Sequence, residues 1–178
     1  YDMHPMLSRF AAEQLAVDAG GSQAAHTRHA AFFLTFLRSQ GDGEEPAQRQ
    51  AIQGELPNIR AAWQWVADQR QYPLLLESAA TLHNFYSAHS WFREGIDAFQ
   101  YALEQLPGGD PLTAVQAQTR CELLGRKARM HIHIGQLEMA SRALDEALDI
   151  LRFMEDSAPL ATILGYMAIT AFYAGDLE

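Results

Sequence analysis

The chain has 178 residues, of which 48% are hydrophobic and 20% charged, and its formal net charge at pH 7 is −9. A chain of this length can bury a sizeable core, as one domain or as a short array of repeats. Its acidic balance disfavours contact with phosphate backbones, so we expect no direct nucleic-acid contact by this segment. Apolar stretches are interrupted before they reach the ~18 residues of a membrane span, so no membrane association is expected.

Cysteine usage and the two ends of the chain suggest a cytoplasmic piece of a longer protein. The single cysteine, Cys121, cannot form an internal disulfide, which suits a reducing compartment. The sequence begins at Tyr1 with no signal-peptide pattern, and it stops at "GDLE", directly after a turn signal that should open another helix.

Apolar residues recur at intervals of three and four, as between Leu137 and Leu151, whereas strand-like alternation is nearly absent. This periodicity predicts an all-α fold. Glycine- and proline-rich turns divide the chain into helices. In chain order the predicted helices lie near residues 4–19, 23–39, 45–70 (bent near Pro57), 73–88, 91–106, 111–134, 136–155 and 158–174.

Two of these helices repeat the same order of small and large residues. Four positions recur 45 residues later as small, large, small and large, pairing Gly95 with Ala140, Phe99 with Leu144, Ala102 with Ala147, and Leu103 with Leu148. A small residue at a helix crossing lets two backbones approach, and the large residue fills the space beside it. The register also pairs Ser90 with Gly135, and Gly135 with Gly175 after a further 40 residues.

This register resembles the tetratricopeptide repeat, in a long-period form, over about residues 74–178. The resemblance implies an array of helical hairpins that forms a tetratricopeptide-like right-handed superhelix. It also implies that the first helix of each hairpin lines a concave groove.

Four motifs in the first half resemble the region after the nucleotide-binding module of STAND-type signalling ATPases, such as LuxR-type and AfsR-type bacterial transcriptional regulators. They are "MHPMLSRFAAEQLA", "HTRHAAFFLTFL", "GELPNIRAAWQWVADQ" and "LHNFYSAHSWFREGIDAFQYAL". The resemblance implies three parts: the end of a winged-helix module at 1–20, linking helices at 21–72, and tetratricopeptide-like repeats at 73–178. It also implies that His4 contacts bound nucleotide from the winged-helix module, although a histidine before Pro5 also suits an ordinary helix start.

The sequence carries no enzymatic motif that we recognise. The phosphate-binding pattern G-x-x-x-x-G-K-[ST] is absent, no serine sits in G-x-S-x-G, and no histidine pair has a third ligand at metal-binding spacing. We therefore expect no catalysis, metal or cofactor in this segment, and any ATPase activity would lie upstream. The three tryptophans lie among apolar residues, which favours packing over base stacking.

Four polar residues before Gly135 are spaced by four, three and four, so they share one side of their helix. We call them the arginine stripe: Glu122, Arg126, Arg129 and His133. Leu124, Ala128 and His131 occupy another side and should pack inward.

Neighbouring hairpins would complete a groove around the arginine stripe. The equivalent stripes contain Glu77, Thr81, Asn84 and Ala88 before it, and Thr162, Tyr166, Ile169 and Tyr173 after it. The candidate groove residues are therefore Asn84, Glu122, Arg126, Arg129, His133, Tyr166, Ile169 and Tyr173. Such a groove suits a carboxylate or phosphate with an apolar tail. The alternative is an ordinary helix face on which Glu122 pairs with Arg126.

These observations predict a segment that senses a protein partner or a small anionic inducer and signals to an upstream nucleotide switch. The alternative is an assembly scaffold that binds another protein without a small molecule. We also expect self-association through an open C-terminal repeat, driven by an uncovered apolar side of residues 160–173. That side comprises Leu160, Ile163, Leu164, Met167 and Ala171.

Overall fold

A computed structural model describes residues 6, 19–43, 45–107, 112–152 and 158–175 of the chain. Within these residues the fold is all-helical, as predicted, with eight helices and no strand. They are α1 (Ala19–Ser39), α2 (Pro46–Gly54), α3 (Leu56–Asp68), α4 (Tyr72–Ala88), α5 (Phe92–Gln105), α6 (Ala114–His133), α7 (Leu137–Leu151) and α8 (Ala158–Ala174). In this part of the chain no helix is both long and apolar enough to cross a membrane. The predicted helix at 4–19 and His4 lie almost wholly outside the described residues.

The predicted helix at 45–70 is two helices, separated at Glu55. Inside a continuous helix Pro57 would lack an N–H donor, and its ring would clash with the carbonyl of Gln53. The Glu55 N–H instead bonds to the Ile52 carbonyl at 3.1 Å, which ends α2 and leaves Pro57 in the first turn of α3. The bend predicted near Pro57 is therefore a full break.

Helix contacts follow one pattern along the chain. Helix α4 packs on α5 and α6 packs on α7, which makes two helical hairpins, and α8 packs on both α6 and α7. The first helices α4, α6 and α8 contact one another in succession. Toward the N-terminus α1 pairs with α3 and also packs on α4, while α3 packs on α5. Each hairpin thus buries its apolar faces against the hairpins beside it.

One backbone conformation recurs at the turns between helices. Six described residues have a left-handed φ: Gly41 and Gly43 between α1 and α2, and four at the ends of later helices, namely Arg70 at 54°, Ser90 at 56°, Gly135 at 73° and Gly175 at 81°. The pattern concerns these last four. In the first three turns the N–H of the following residue bonds to the carbonyl five residues before it, as from Trp91 to Tyr86 and from Gln136 to His131 at 2.9 Å. This bond satisfies a carbonyl that the helix end leaves open. The turns at Ser90, Gly135 and Gly175 are those that the sequence register paired.

The small and large residues of the register occupy matching buried positions. Gly95 and Ala140 are buried, and so are Phe99 and Leu144. A Cβ placed on Gly95 would lie 2.5 Å from the Met130 Sδ atom, so α5 lies very close to α6 there. The small residue therefore sets the helix separation at this crossing.

The C-terminal helix leaves an apolar surface open, but with a composition different from the predicted one. Ile163 is buried against Gly125 of α6, so its predicted exposure is wrong. The exposed large apolar side chains of α8 are Leu164, Ile169, Phe172 and Tyr173. The side chain of Leu160 lies outside the described residues.

We expect Ala140→Leu to lower the free energy of unfolding by about 1–3 kcal/mol, because Ala140 is fully buried and added methylenes would overpack the α6–α7 crossing. Chemical denaturation measures the change. Met139→Leu on the exposed side of the same turn is the control, and it should change stability by less than about 0.5 kcal/mol. Equal stability of the two variants would contradict the register.

We expect Gly135→Ala to cost about 1–2 kcal/mol of stability, because an alanine in the left-handed region brings its Cβ close to its carbonyl oxygen. A Cβ at Gly135 would meet no other atom within 4 Å, so this cost is purely one of backbone conformation. Gly54 has equally open space but no positive φ, so Gly54→Ala should be neutral or slightly stabilising. Thermal unfolding of both variants tests this, and a matching loss in both would rule out the backbone explanation.

Candidate functional site

The arginine stripe lies on the side of α6 that faces away from the core. Leu124, Ala128 and His131 are buried, as predicted for the inward side, whereas Arg129 and His133 are exposed. The inward residues are held by contacts with four helices, because α6 packs on α4, α5, α7 and α8. This leaves the polar side of α6 between α4 and α8.

Glu122 and Arg126 form an ion pair within the stripe. The Arg126 Nε atom donates to the Glu122 Oε1 atom at 2.5 Å, one helical turn away. Both side chains are half-buried. This is the pairing that an ordinary helix face would show, and it neutralises one of the two arginines.

Arg129 instead reaches across to α8. Its Nη1 atom lies 3.4 Å from the Tyr166 hydroxyl of α8, and its guanidinium lies 5.7 Å from the centre of the Tyr166 ring. Within the described residues it forms no ion pair. Arg129 is thus the cation of the stripe that no carboxylate balances, and it joins α6 to α8.

His83 is a buried member of this region that the sequence analysis missed. Its Nδ1 atom lies 3.1 Å from the side-chain oxygen of Asn84, and its Nε2 atom is buried with no hydrogen-bond partner among the described residues. Burial lowers the pKa of His83 to about 4, and the charges of Arg126 and Arg129 act in the same direction. His83 is therefore neutral at pH 7, and it lies on α4 within range of the charges of the arginine stripe.

A lone histidine inside "TLHNFY" offers no sequence signal for this position. Its position in the sequence falls on the apolar side of α4, between Leu82 and Phe85. The arginines that lie near it in space belong to a helix some forty residues later. Only the packing of α4 on α6 brings them together.

His133 is the last residue of the arginine stripe and contacts α5. Its ring stacks on Phe92 of α5 with the ring centres 4.9 Å apart and the planes 13° from parallel. Burial and the charge of Arg129 lower its pKa, so it too favours the neutral form. His131, two residues earlier, points to the other side and lies 2.7 Å from the Gln136 side chain.

Only some of the remaining candidate groove residues lie close to the arginine stripe. Asn84 reaches the site through His83, and Tyr166 reaches it through Arg129. Ile169 and Tyr173 lie further along α8 and are exposed, and Tyr173 packs on Phe172 with ring centres 5.6 Å apart. In the described part of the chain neither of them bonds to the stripe.

The other polar residues of the α4 stripe serve α1 and the segment after it. Thr81 donates to the Gly41 carbonyl at 2.7 Å, and Glu77 forms an ion pair with Arg38. This end of the expected groove is therefore occupied by the chain itself. The site is limited to the region between α4, α6 and α8.

The tryptophans and histidines elsewhere have packing contacts. The Trp63 indole N–H donates to the Ala98 carbonyl at 2.9 Å, Trp65 stacks on His26, and Trp91 packs on Phe85.

Across residues 19–43, 45–107, 112–152 and 158–175, no three His, Cys, Asp or Glu side chains are grouped to hold a metal ion. Burial raises the pKa of the Cys121 thiol to about 11, which leaves it unreactive near neutral pH.

No protein-family model, curated protein sequence or solved structure matches this chain. The site must therefore be interpreted from its own residues.

We expect the stability of the protein to fall as the pH drops from 6.5 to 4, in part because of His83. The unfolded chain binds a proton at this residue near pH 6.5, whereas the folded chain does so only near pH 4. Over that window the unfolded state holds more protons, which costs the folded state about 3 kcal/mol.

His83→Gln should flatten this pH dependence by a similar amount, as measured by denaturant unfolding at pH 7, 5.5 and 4. His133→Gln is the control, because the His133 ring is exposed and should carry much less of the slope. Parallel curves for wild type and His83→Gln would contradict a buried, neutral His83.

Proposed function

We propose that the chain is the sensing segment of a bacterial STAND-type transcriptional regulator of the LuxR or AfsR kind. In this proposal its hairpins form a tetratricopeptide-like right-handed superhelix. The segment binds a small anionic inducer or a protein partner and passes that state to an upstream nucleotide switch. The observation that carries the proposal is the meeting of three first helices, α4, α6 and α8, at the arginine stripe.

The stripe favours an anionic group. Arg129 has an aromatic neighbour but no carboxylate partner among the described residues, and the carboxylate on its own face, Glu122, already bonds to Arg126. A ligand carboxylate or phosphate could accept charge-assisted hydrogen bonds from Arg129, and from Arg126 if Glu122 were displaced. His83 and His133 stay neutral at pH 7 and can donate or accept without adding charge.

Binding at this place would affect how hairpins stack. Arg129 lies on α6 and its ring contact lies on α8, so a ligand that captures the guanidinium competes with a link between successive hairpins. A ligand can shift a conformational equilibrium only by its difference in affinity for two states. Competition for the Arg129–Tyr166 contact supplies such a difference.

An assembly scaffold is the second candidate function, and one observation favours it. The exposed Leu164, Ile169 and Phe172 place large apolar side chains on the open side of α8. Apolar surface of this kind commonly marks contact with another protein or with a second copy of the chain. Self-association through α8 therefore stays a prediction of both functions.

We expect Arg129→Ala to weaken binding of an anionic probe, octyl phosphate, by about ten- to a hundredfold, because a charge-assisted bond to arginine contributes about 1.5–3 kcal/mol. Calorimetric titration of the folded chain measures this. Arg142→Ala is the matched control, since Arg142 is exposed on α7 and has no ion pair within the described residues.

Binding of octanol as tightly as octyl phosphate would show that the groove does not select an anion. Equal weakening by the two arginine variants would show that the stripe is an ordinary surface. Absence of binding together with tight capture of a protein partner, lost on Phe172→Ser, would favour the scaffold.

A further inference from the structure

A cavity lies away from the arginine stripe, on the side of the fold formed by α3 and α5. It has a volume of about 340 Å³, within the range of small-molecule sites, and side chains of α3, α4 and α5 line it. It shares no residue with the stripe. We propose that this cavity binds an organic cation, an aromatic compound that carries a primary ammonium group.

The floor of the cavity is apolar, aromatic and held in place. Trp63, Leu82 and Tyr86 line it and are almost fully buried. The Trp63 indole N–H is fixed by the Ala98 carbonyl, and its ring meets Phe99 edge to face with ring centres 5.6 Å apart. A preformed aromatic floor suits the flat, apolar ring of a ligand. Such a ring has few hydrated polar groups, so little desolvation cost arises when it binds.

The one cation of the lining already has a partner. Arg60 donates from its Nε atom to the Tyr86 hydroxyl at 3.1 Å, and its guanidinium lies 5.7 Å from the centre of the Tyr86 ring. This double contact holds the guanidinium on Tyr86, so Arg60 acts as part of the wall.

The two carboxylates of the lining have no such partner. Glu94 and Asp97 lie three residues apart on the same side of α5, and within the described residues neither forms an ion pair or a hydrogen bond. Tyr101, one turn further, donates to the Asp68 carboxylate at 2.6 Å, which adds a third negative charge at the rim. The charges around the cavity are thus predominantly negative.

An ammonium group satisfies this arrangement. Its three N–H donors can bond to Glu94 and Asp97, while the aromatic floor accepts the ring and attracts the positive charge. A carboxylate ligand would face two unpaired carboxylates and would have to take Arg60 from Tyr86. The cavity therefore selects for positive charge.

Three probes with one aromatic body and different head groups test the charge preference: tryptamine, the neutral alcohol tryptophol and the acid indole-3-propionate. Calorimetry or ligand-observed NMR at pH 7 should show tryptamine binding about ten- to a hundredfold more tightly than tryptophol, the range expected for a charge-assisted bond. Indole-3-propionate should bind most weakly. Failure of all three probes to bind at millimolar concentration, or tightest binding by the acid, would overturn the proposal.

Three variants distinguish binding in the cavity from a general attraction of cations to an acidic surface. Glu94→Gln with Asp97→Asn should remove the preference for tryptamine over tryptophol, whereas Glu138→Gln with Asp145→Asn on α7 should keep it. Ala98→Leu adds bulk to the lining and should abolish binding of both probes while the chain stays folded by circular dichroism. The proposal would be overturned if both carboxylate double variants lost the preference for tryptamine equally. It would also be overturned if Ala98→Leu bound the probes as tightly as the wild type.

The outcome is independent of the function proposed for the stripe. Arg129→Ala should leave tryptamine binding unchanged, and Ala98→Leu should leave octyl phosphate binding unchanged. Each site can therefore fail without the other.

Discussion

The close packing of α6 against four other helices is the constraint on which the rest of the structure depends. It requires small residues where backbones meet, and Gly95, Gly125 and Ala140 supply them. A Cβ on Gly125 would lie 2.9 Å from the Ile163 side chain, so α8 also lies close to α6. Close contact of apolar side chains is also a main source of stability in a fold whose helices bury their apolar faces against one another.

This packing decides where polar residues can go. One side of α6 is filled by Leu124, Ala128 and Met130, and the arginine stripe lies on another side, next to α4 and α8. There Arg126 pairs with a carboxylate one turn away, and Arg129 contacts an aromatic ring on α8. His83, enclosed by the same contact, is driven to its neutral form by burial. A cationic surface on a strongly acidic chain thus arises from helix geometry.

The two proposed sites use opposite charge and share no residue. First helices surround the stripe, whereas α3 and α5 form the walls of the aromatic cavity. In each place the charges without an oppositely charged partner among the described residues define the proposed ligand: Arg129 at the stripe, and Glu94 with Asp97 at the cavity. A charge without a partner at a concave site is a better indicator of a ligand than the number of charged residues there, because paired charges contribute little further attraction.

Local pattern determined the helices, the turns and the buried sides, since each depends on residues within a few positions of one another. The spacing of Leu124, Ala128 and His131 predicted the inward side of α6, and the small residues at 95 and 140 predicted two buried crossings. Pro57 was expected to bend a helix, and the loss of one hydrogen bond ends it instead.

Contacts between distant helices were decided only by the tertiary structure. Packing between distant parts of the chain produces the remaining features: the proximity of His83 to the arginines, the contact of Arg129 with Tyr166, the Thr81–Gly41 hydrogen bond, the burial of Ile163 and the aromatic cavity. Helical periodicity specifies which side of a helix is buried, but it carries no information on which other helix covers that side.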